Sequence, residues 1–249
     1  MNIQDAAIVI TGGASGLGLE MAMTLAGLGG RIALVDRDET ALAAVPEVLK
    51  DTVSCVCDVT DPAQVDTTFA DLAERLGKIH VLINNAGILF SAPLLSVGPG
   101  GLTPHSVEDW NRVRSVNLDA VFYVTRSAAG HMVRTRTKGT IVNISSVSAA
   151  GNAGQSAYSA SKAAVEALTV TWAKELGPWG IRVAAVAPGY TDSPSTRVAV
   201  PESHLDEIAR EAASKRLGSP AEIAHAVRFL IENDFVTGTT VRVDGGFRI

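Results

Sequence analysis

The sequence predicts an α/β fold: one doubly wound domain over residues 1–249, with a parallel sheet of seven strands and helices on both faces. Two observations carry that expectation. Apolar runs rich in Val and Ile alternate with amphipathic segments along the whole chain, which is the order of βα units. The runs are also apolar at every position rather than every second one, as in AAIVI at residues 6–10. That is the pattern of strands covered on both sides.

Each element has its own signal. Residues 6–10 form the first strand, and the glycine-rich run TGGASGLG at residues 11–18 leads into a helix over 17–28, closed by Gly29-Gly30. A strand over 32–36 precedes a helix over 39–49. A strand over 53–57 precedes a helix over 62–76, which Asp61 caps and Pro62 opens. After the strand at 81–84, residues 88–106 contain LLSVGPGGLTPHS, too rich in Pro and Gly for an element interior, so a long loop is expected. A helix over 107–132, a strand over 140–144 and a helix over 157–176 follow, the last closed by Gly177-Pro178. After the strand at 183–186, residues 190–218 read as a mobile substrate loop with one or two short helices. A helix over 220–231 and a strand over 240–243 complete the chain. Both long insertions follow carboxyl ends of strands, where open α/β sheets bind ligands.

Composition excludes several functions. A net charge of −5 without any Lys/Arg block argues against nucleic acid and anionic membranes as partners. No apolar run approaches the ~18 residues of a membrane span, and the start MNIQDAAIVI lacks a basic leader region, so a cytoplasmic protein is expected. Cys55 and Cys57 fall on one face of a strand, and the five histidines show no ligand spacing, so no metal site is expected. Charged residues make up 19%, below the usual quarter, which implies apolar surface covered by a partner subunit.

Two groups of residues carry chemistry. Gly12, Gly16 and Gly18 follow a strand and open a helix, the setting in which backbone N–H groups and a helix N-terminus approach a pyrophosphate. Asp36, at the end of the second strand, can accept bonds from ribose hydroxyls and would repel a 2′-phosphate. Arg37 beside it could hold that phosphate instead. With Ser15 as the only other polar group in the loop, the balance favours NAD over NADP. Further on, Tyr158 and Lys162 stand at i,i+4 on one helix face, with Ser145 at the end of the fifth strand. A phenol titrates near ~10, so a phenolate base at neutral pH needs a depression of about three units, or ~4 kcal/mol. A neighbouring ammonium has the sign of charge to supply it.

Taken in order, these motifs resemble the compact single-domain branch of the short-chain dehydrogenase/reductase family over essentially the whole chain. TGGASGLG is similar to its cofactor loop, Asp58-Val59 to its adenine-contacting pair, and NNAG at residues 84–87 to its fourth-strand motif. Asn117 in VRSVNLDA, Ser145 in NISS and the Tyr158/Lys162 pair resemble its active-site set. Pro188-Gly189 resembles its nicotinamide-side turn, and VDGG at residues 243–246 its last strand. The resemblance implies a Rossmann-type fold, a homotetramer assembled through the helices at 107–132 and 157–176, and NAD held in a defined cradle. In that cradle Ser15 and Leu17 join the loop glycines, Asn85, Ala86 and Gly87 line the middle, and Thr191 reaches the carboxamide.

The resemblance also implies roles. Tyr158 is the general acid/base, Lys162 lowers its pKa and holds the ribose, Ser145 binds the substrate oxygen, and Asn117 holds a relay water. One departure stands out: the turn continues as Tyr190-Thr191-Asp192-Ser193, so a hydroxyl the family supplies elsewhere would have to come from Ser193. The expected reaction is oxidation of a secondary alcohol by NAD. Apolar residues dominate the pocket loops, and only Arg197, Lys215 and Arg216 stand ready for phosphates. A neutral ring-bearing or medium-chain alcohol is therefore the first expectation. A 3-hydroxyacyl-CoA, hydroxysteroid or 3-oxoacyl-carrier substrate is the alternative. A nucleotide binder without turnover is the competing class, and the complete catalytic set argues against it.

Overall fold

The structure, a computed structural model, describes residues 1–247. Its first half runs β1 (Ala7–Thr11), α1 (Gly16–Gly27), β2 (Arg31–Asp36), α2 (Glu39–Ala43), β3 (Val53–Val56), α3 (Pro62–Leu76) and β4 (Val81–Asn84). A hairpin follows, β5 (Leu95–Gly98) and β6 (Gly101–Pro104), then α4 (Val107–Arg114), α5 (Ala120–Arg134), β7 (Thr140–Ile144) and α6 (Ser156–Leu176). The chain continues with β8 (Arg182–Pro188), α7 (Pro194–Ala199), α8 (Glu202–Glu211), α9 (Pro220–Glu232) and β9 (Thr240–Val243).

Seven strands form one sheet in the order β3-β2-β1-β4-β7-β8-β9, every neighbouring pair parallel. This is the doubly wound Rossmann-type sheet that the apolar runs predict. Strand β1 shows why such a run has no polar positions. Ala7 and Val9 pack into a layer with Phe69 of α3, Val124 of α5 and Val165 of α6. Ile8 and Ile10 pack the other way, with Met21 of α1 and Val227 of α9. The strand order reverses between β1 and β4, which opens a crevice at their carboxyl ends.

Three segments differ from the sequence expectation, and a fourth agrees with it. The helix expected over 39–49 stops at Ala43, because Pro46 cannot continue it, and a single 3-10 turn, Glu47–Leu49, resumes. The helix expected over 107–132 is continuous through Arg134, but a π-helical turn, Ser115–Asp119, interrupts it and carries Asn117. The expected loop at 88–106 holds the antiparallel hairpin β5–β6, which turns at Gly98-Pro99-Gly100-Gly101 and exposes all eight strand residues. Residues 190–218 hold the two short helices α7 and α8, and a parallel bridge between Thr191 and Gly218 brings the two ends of the insertion together. No helix among the described residues is long and apolar enough to cross a membrane.

Candidate active site

At the switch point, the ends of β1 and β4 are stitched together by side chains. Thr11 Oγ1 accepts from the backbone N–H groups of Asn85 and Ala86, each at 3.1 Å. Asn85 Nδ2 in return donates to the carbonyls of Thr11 and Gly12 at 3.0 and 2.9 Å. The glycine loop is thereby held against β4. Gly18 lets α1 lie on this loop, since a Cβ there would stand 2.1 Å from the Gly12 carbonyl oxygen. Gly16, at φ +52°, faces open space, with nothing within 4 Å of where its Cβ would be. Ser15, the N-cap of α1, makes no side-chain cap bond, so the first-turn N–H groups of that helix are left for a ligand. An open glycine wall at a bare helix N-terminus fits a dinucleotide pyrophosphate.

Asp36 fits the adenosine ribose. Its two carboxylate oxygens accept from the N–H groups of Ala14 and Asp38, both at 3.1 Å, which fixes the group at the crevice edge beside Arg37. The crevice wall continues through Asp58 and Val59, then through Asn85, Ala86 and Gly87. It ends on Ser145, Ser146, Tyr158 and Lys162, with Pro188, Gly189 and Thr191 opposite. Gly12, Ser15, Gly16 and Leu17 also line it, whereas Gly18 and Asn117 lie behind the wall.

Four candidate residues, Asn117, Ser145, Thr191 and Ser193, bond the protein itself. Asn117 is fully buried, and its amide bonds Ile88 twice, accepting from the N–H and donating to the carbonyl at 2.8 Å each. It therefore anchors the chain that leaves the NNAG motif. Lys162 and Asn117 flank Gly87, whose Cβ would meet Asn117 Oδ1 at 3.1 Å and Lys162 Nζ at 3.7 Å. Ser145 does not face the phenol. Its hydroxyl donates to Glu166 Oε1 at 2.9 Å and lies 3.3 Å from the Lys162 carbonyl. The hydroxyl bonded to Tyr158 belongs to Ser146, which spacing alone did not separate from its neighbour. Alternation along β7 explains this: Asn143 and Ser145, two apart, both reach α6, at Thr169 and Glu166. Thr191 Oγ1 donates to the Gly189 carbonyl at 3.2 Å, and Ser193 is the N-cap of α7, its hydroxyl accepting from the Thr196 N–H.

The electrostatics also correct an expectation. Burial raises the pKa of Tyr158, the Ser146 hydrogen bond lowers it, and Tyr190 raises it further. Lys162 does not hydrogen-bond the phenol. Its Nζ donates to the Ile144 carbonyl at 2.7 Å and lies 5.7 Å from the Tyr158 ring centre. Burial pushes its own pKa down from 10.5 to about 8. The phenol of the chain by itself is thus held protonated at neutral pH.

A switch-point crevice that ends on a phenol, a hydroxyl and a buried lysine defines a dinucleotide-dependent oxidoreductase. The family model described as Enoyl-(Acyl carrier protein) reductase matches residues 12–248. The chain is 37% identical over 256 residues to "3-hydroxyacyl-CoA dehydrogenase type-2" of Homo sapiens, covering 100% of this chain and 97% of that one. It is 38% identical over 261 residues to "3-oxoacyl-[acyl-carrier-protein] reductase FabG" of Thermotoga maritima, covering 100% of both. Among solved structures, the 3-ketoacyl-(acyl-carrier-protein) reductase from Brucella melitensis complexed with NADH superposes with a TM-score of 0.88. That match has 27% identity and covers 99% of this chain and 100% of the other. The chain belongs to the short-chain dehydrogenase/reductase family and is an oxidoreductase acting on CH–OH groups with a nicotinamide dinucleotide.

Proposed function

We propose that the protein interconverts a 3-hydroxyacyl thioester and its 3-oxo form, using NAD(H). The observation that carries the reaction type is the cluster of Tyr158, Ser146 and Lys162 at the closed end of the crevice. When bound, NAD supplies the hydride acceptor and a positive ring charge that favours the Tyr158 phenolate. Ser146 holds the substrate oxygen, and Tyr158 takes the hydroxyl proton as the carbinol hydrogen leaves as hydride. Lys162, protonated below about pH 8, adds positive charge beside that proton transfer. Asn117 keeps the segment at Ile88 in place behind Lys162. The fixed carboxylate of Asp36, with no shielding beyond Arg37, supports NAD over NADP.

The thioester assignment replaces the neutral alcohol as first choice because two relatives over the full chain are named for acyl thioesters. One observation keeps the uncharged alcohol as a second reading. Of the three cations expected to grip CoA phosphates, Arg197 is paired with Asp192 at 2.6 Å and Arg216 with Glu222 at 2.6 Å. Lys215 donates to the Arg210 carbonyl at 2.7 Å. We also propose a cytoplasmic homotetramer. The free thiols Cys55 and Cys57 support the location, and the exposed Phe122 on α5 and Val170 on α6 support the assembly.

The test is absorbance at the nicotinamide band with 3-hydroxybutyryl-CoA, its N-acetylcysteamine analogue and 1-phenylethanol, each with NAD and NADP. A thioester should give the highest kcat/KM, with NAD preferred. Tyr158→Phe should bind NADH normally and lose a factor of ~10²–10⁴ in turnover. Wild-type protein inert towards every alcohol would return the reading to a non-catalytic nucleotide binder.

A further inference from the structure

The amino ends of β1 and β4, at the far end of the sheet from the crevice, are joined by a side chain as well as by backbone. His80 donates its N–H to the Ala7 carbonyl at 2.9 Å, and its own carbonyl accepts from Thr140 N at 2.9 Å. The Ala7 N–H donates to the His80 ring itself, at Nδ1, over 3.0 Å. That nitrogen accepts only while its lone pair is free, so the bond requires a neutral ring that carries its proton on Nε2. A charged ring would set two N–H donors against each other.

A second histidine reaches the same turn from α5. The ring of His131 bonds the backbone of Gly77, the residue that caps the end of α3. Its Nε2 is buried and has no hydrogen-bond partner among the described residues, so the bond to the Gly77 carbonyl comes from Nδ1. Nε2 is then the bare acceptor of a neutral ring, and a proton placed on it would be a buried donor without an acceptor. The charges around the two rings act the same way. Burial, then Arg31 of β2 and Lys78 of the turn, lower the pKa of His80 from 6.5. Burial, then Arg134 of α5, lower that of His131 from 6.5, against the opposing pull of the Gly77 bond. Arg31 is fixed in this place, donating to the carbonyls of Asp5 and Leu76 at 3.3 Å each. Among the described residues no carboxylate acts on either ring.

We propose that His80 and His131 form an acid-sensitive latch on the turn between α3 and β4, each fitting its place only while neutral. The sign follows from linkage. The unfolded chain takes up these two protons around pH 6.5 and the folded chain only at lower pH, so stability falls as pH drops below about 6.5. The latch uses no group of the crevice, so it stands whatever the substrate is.

The test is urea unfolding without cofactor, at one fixed protein concentration, at pH 7.0 and pH 5.5. The lower value stays above the range in which ordinary carboxylates titrate. Wild type is compared with His80→Asn, His131→Asn and the double variant. An Asn oxygen can accept from the Ala7 N–H, an Asn nitrogen can donate to the Gly77 carbonyl, and neither group titrates. The unfolding constant of wild type should rise between the two pH values by up to about tenfold per histidine. Each single variant should remove its share, and the double variant should be nearly flat. A wild type without the rise, or an equal rise in wild type and double variant, overturns the latch. Should the variants fail to fold, NMR of the wild-type imidazole nitrogens decides. Both rings should still be neutral in the folded protein at pH 5.5, and rings that titrate near 6.5 overturn the proposal.

Discussion

At the scale of single residues, the sequence located the chemistry but not its direction. Residue types, their order and the i,i+4 spacing of Tyr158 and Lys162 are visible in one dimension. The choice between Ser145 and Ser146 depends on which way the chain turns after β7, and adjacent serines carry no mark of that. Ser146→Ala should therefore lower kcat by at least tenfold, whereas Ser145→Ala should act mainly through stability, since its hydroxyl serves Glu166. Equal kcat losses in the two variants, at matched folding, would return the role to Ser145. Lys162 gives a second prediction. Its folded pKa of about 8 lies below the 10.5 of the free group, so the unfolded chain binds more protons between those values. The cost of burying the charge is complete below about pH 8 and fades as pH rises towards 10.5; it amounts to about 3 kcal/mol. Leaving the Ile144 carbonyl unpaired returns about 1 kcal/mol of that. Lys162→Met should thus unfold at higher urea than wild type at pH 7, without cofactor, and lose this advantage near pH 10, while turnover is abolished. A lower midpoint at pH 7 would show that the lysine is structurally favourable.

At the scale of elements, most of the fold was legible because parallel strands buried on both faces have no polar positions to confuse the pattern. The segments that differed have local causes. Pro46 cuts the second helix short, and the π turn around Asn117, five residues long, is too short to show a periodicity of its own. The hairpin β5–β6 escaped because its strands are exposed on both sides and separated by Gly and Pro, so the usual alternation is missing. The glycine loop separates two jobs that look alike in sequence. Gly18→Ala should destabilise by about 1–3 kcal/mol, as its methyl would collide with the Gly12 carbonyl and the Asn85 amide. Gly16→Ala meets no atoms, so it should cost only about 1–2 kcal/mol of left-handed backbone strain, while its methyl enters the pyrophosphate cradle and weakens NADH binding. Thermal melts and NADH fluorescence titrations read the two effects separately. A Gly18→Ala protein that melts with wild type would contradict the close-approach argument.

At the scale of the whole molecule, large apolar side chains remain exposed on helical faces as well as on the hairpin β5–β6. Phe122 and Val170 lie on α5 and α6, while Phe229 and Phe235 lie on α9 and just beyond it. A D2 tetramer needs more than one kind of two-fold interface, and two separate apolar patches meet that need. Light scattering should give the mass of four chains at micromolar concentration. Phe122→Asp should reduce it to a smaller species, and a wild type that is monomeric under those conditions would refute the assembly. Sequence composition hinted at this through the low share of charged residues, but only the folded surface tells which faces are left uncovered.

The contact between Gly189 and Asp244 bears on when, rather than how, the site comes into being. A Cβ on Gly189 would stand 2.7 Å from the Asp244 Cα, so the turn that lines the closed end of the crevice is backed by the last strand's exit. Synthesis proceeds at roughly 5–20 residues per second, which puts on the order of 10–50 s between the first glycine of the loop and the residue that backs the turn. Through that interval a nascent chain can present the pyrophosphate cradle but not a finished nicotinamide wall. The nicotinamide-side wall is thus finished only once the strand that leads to Asp244 has joined the sheet.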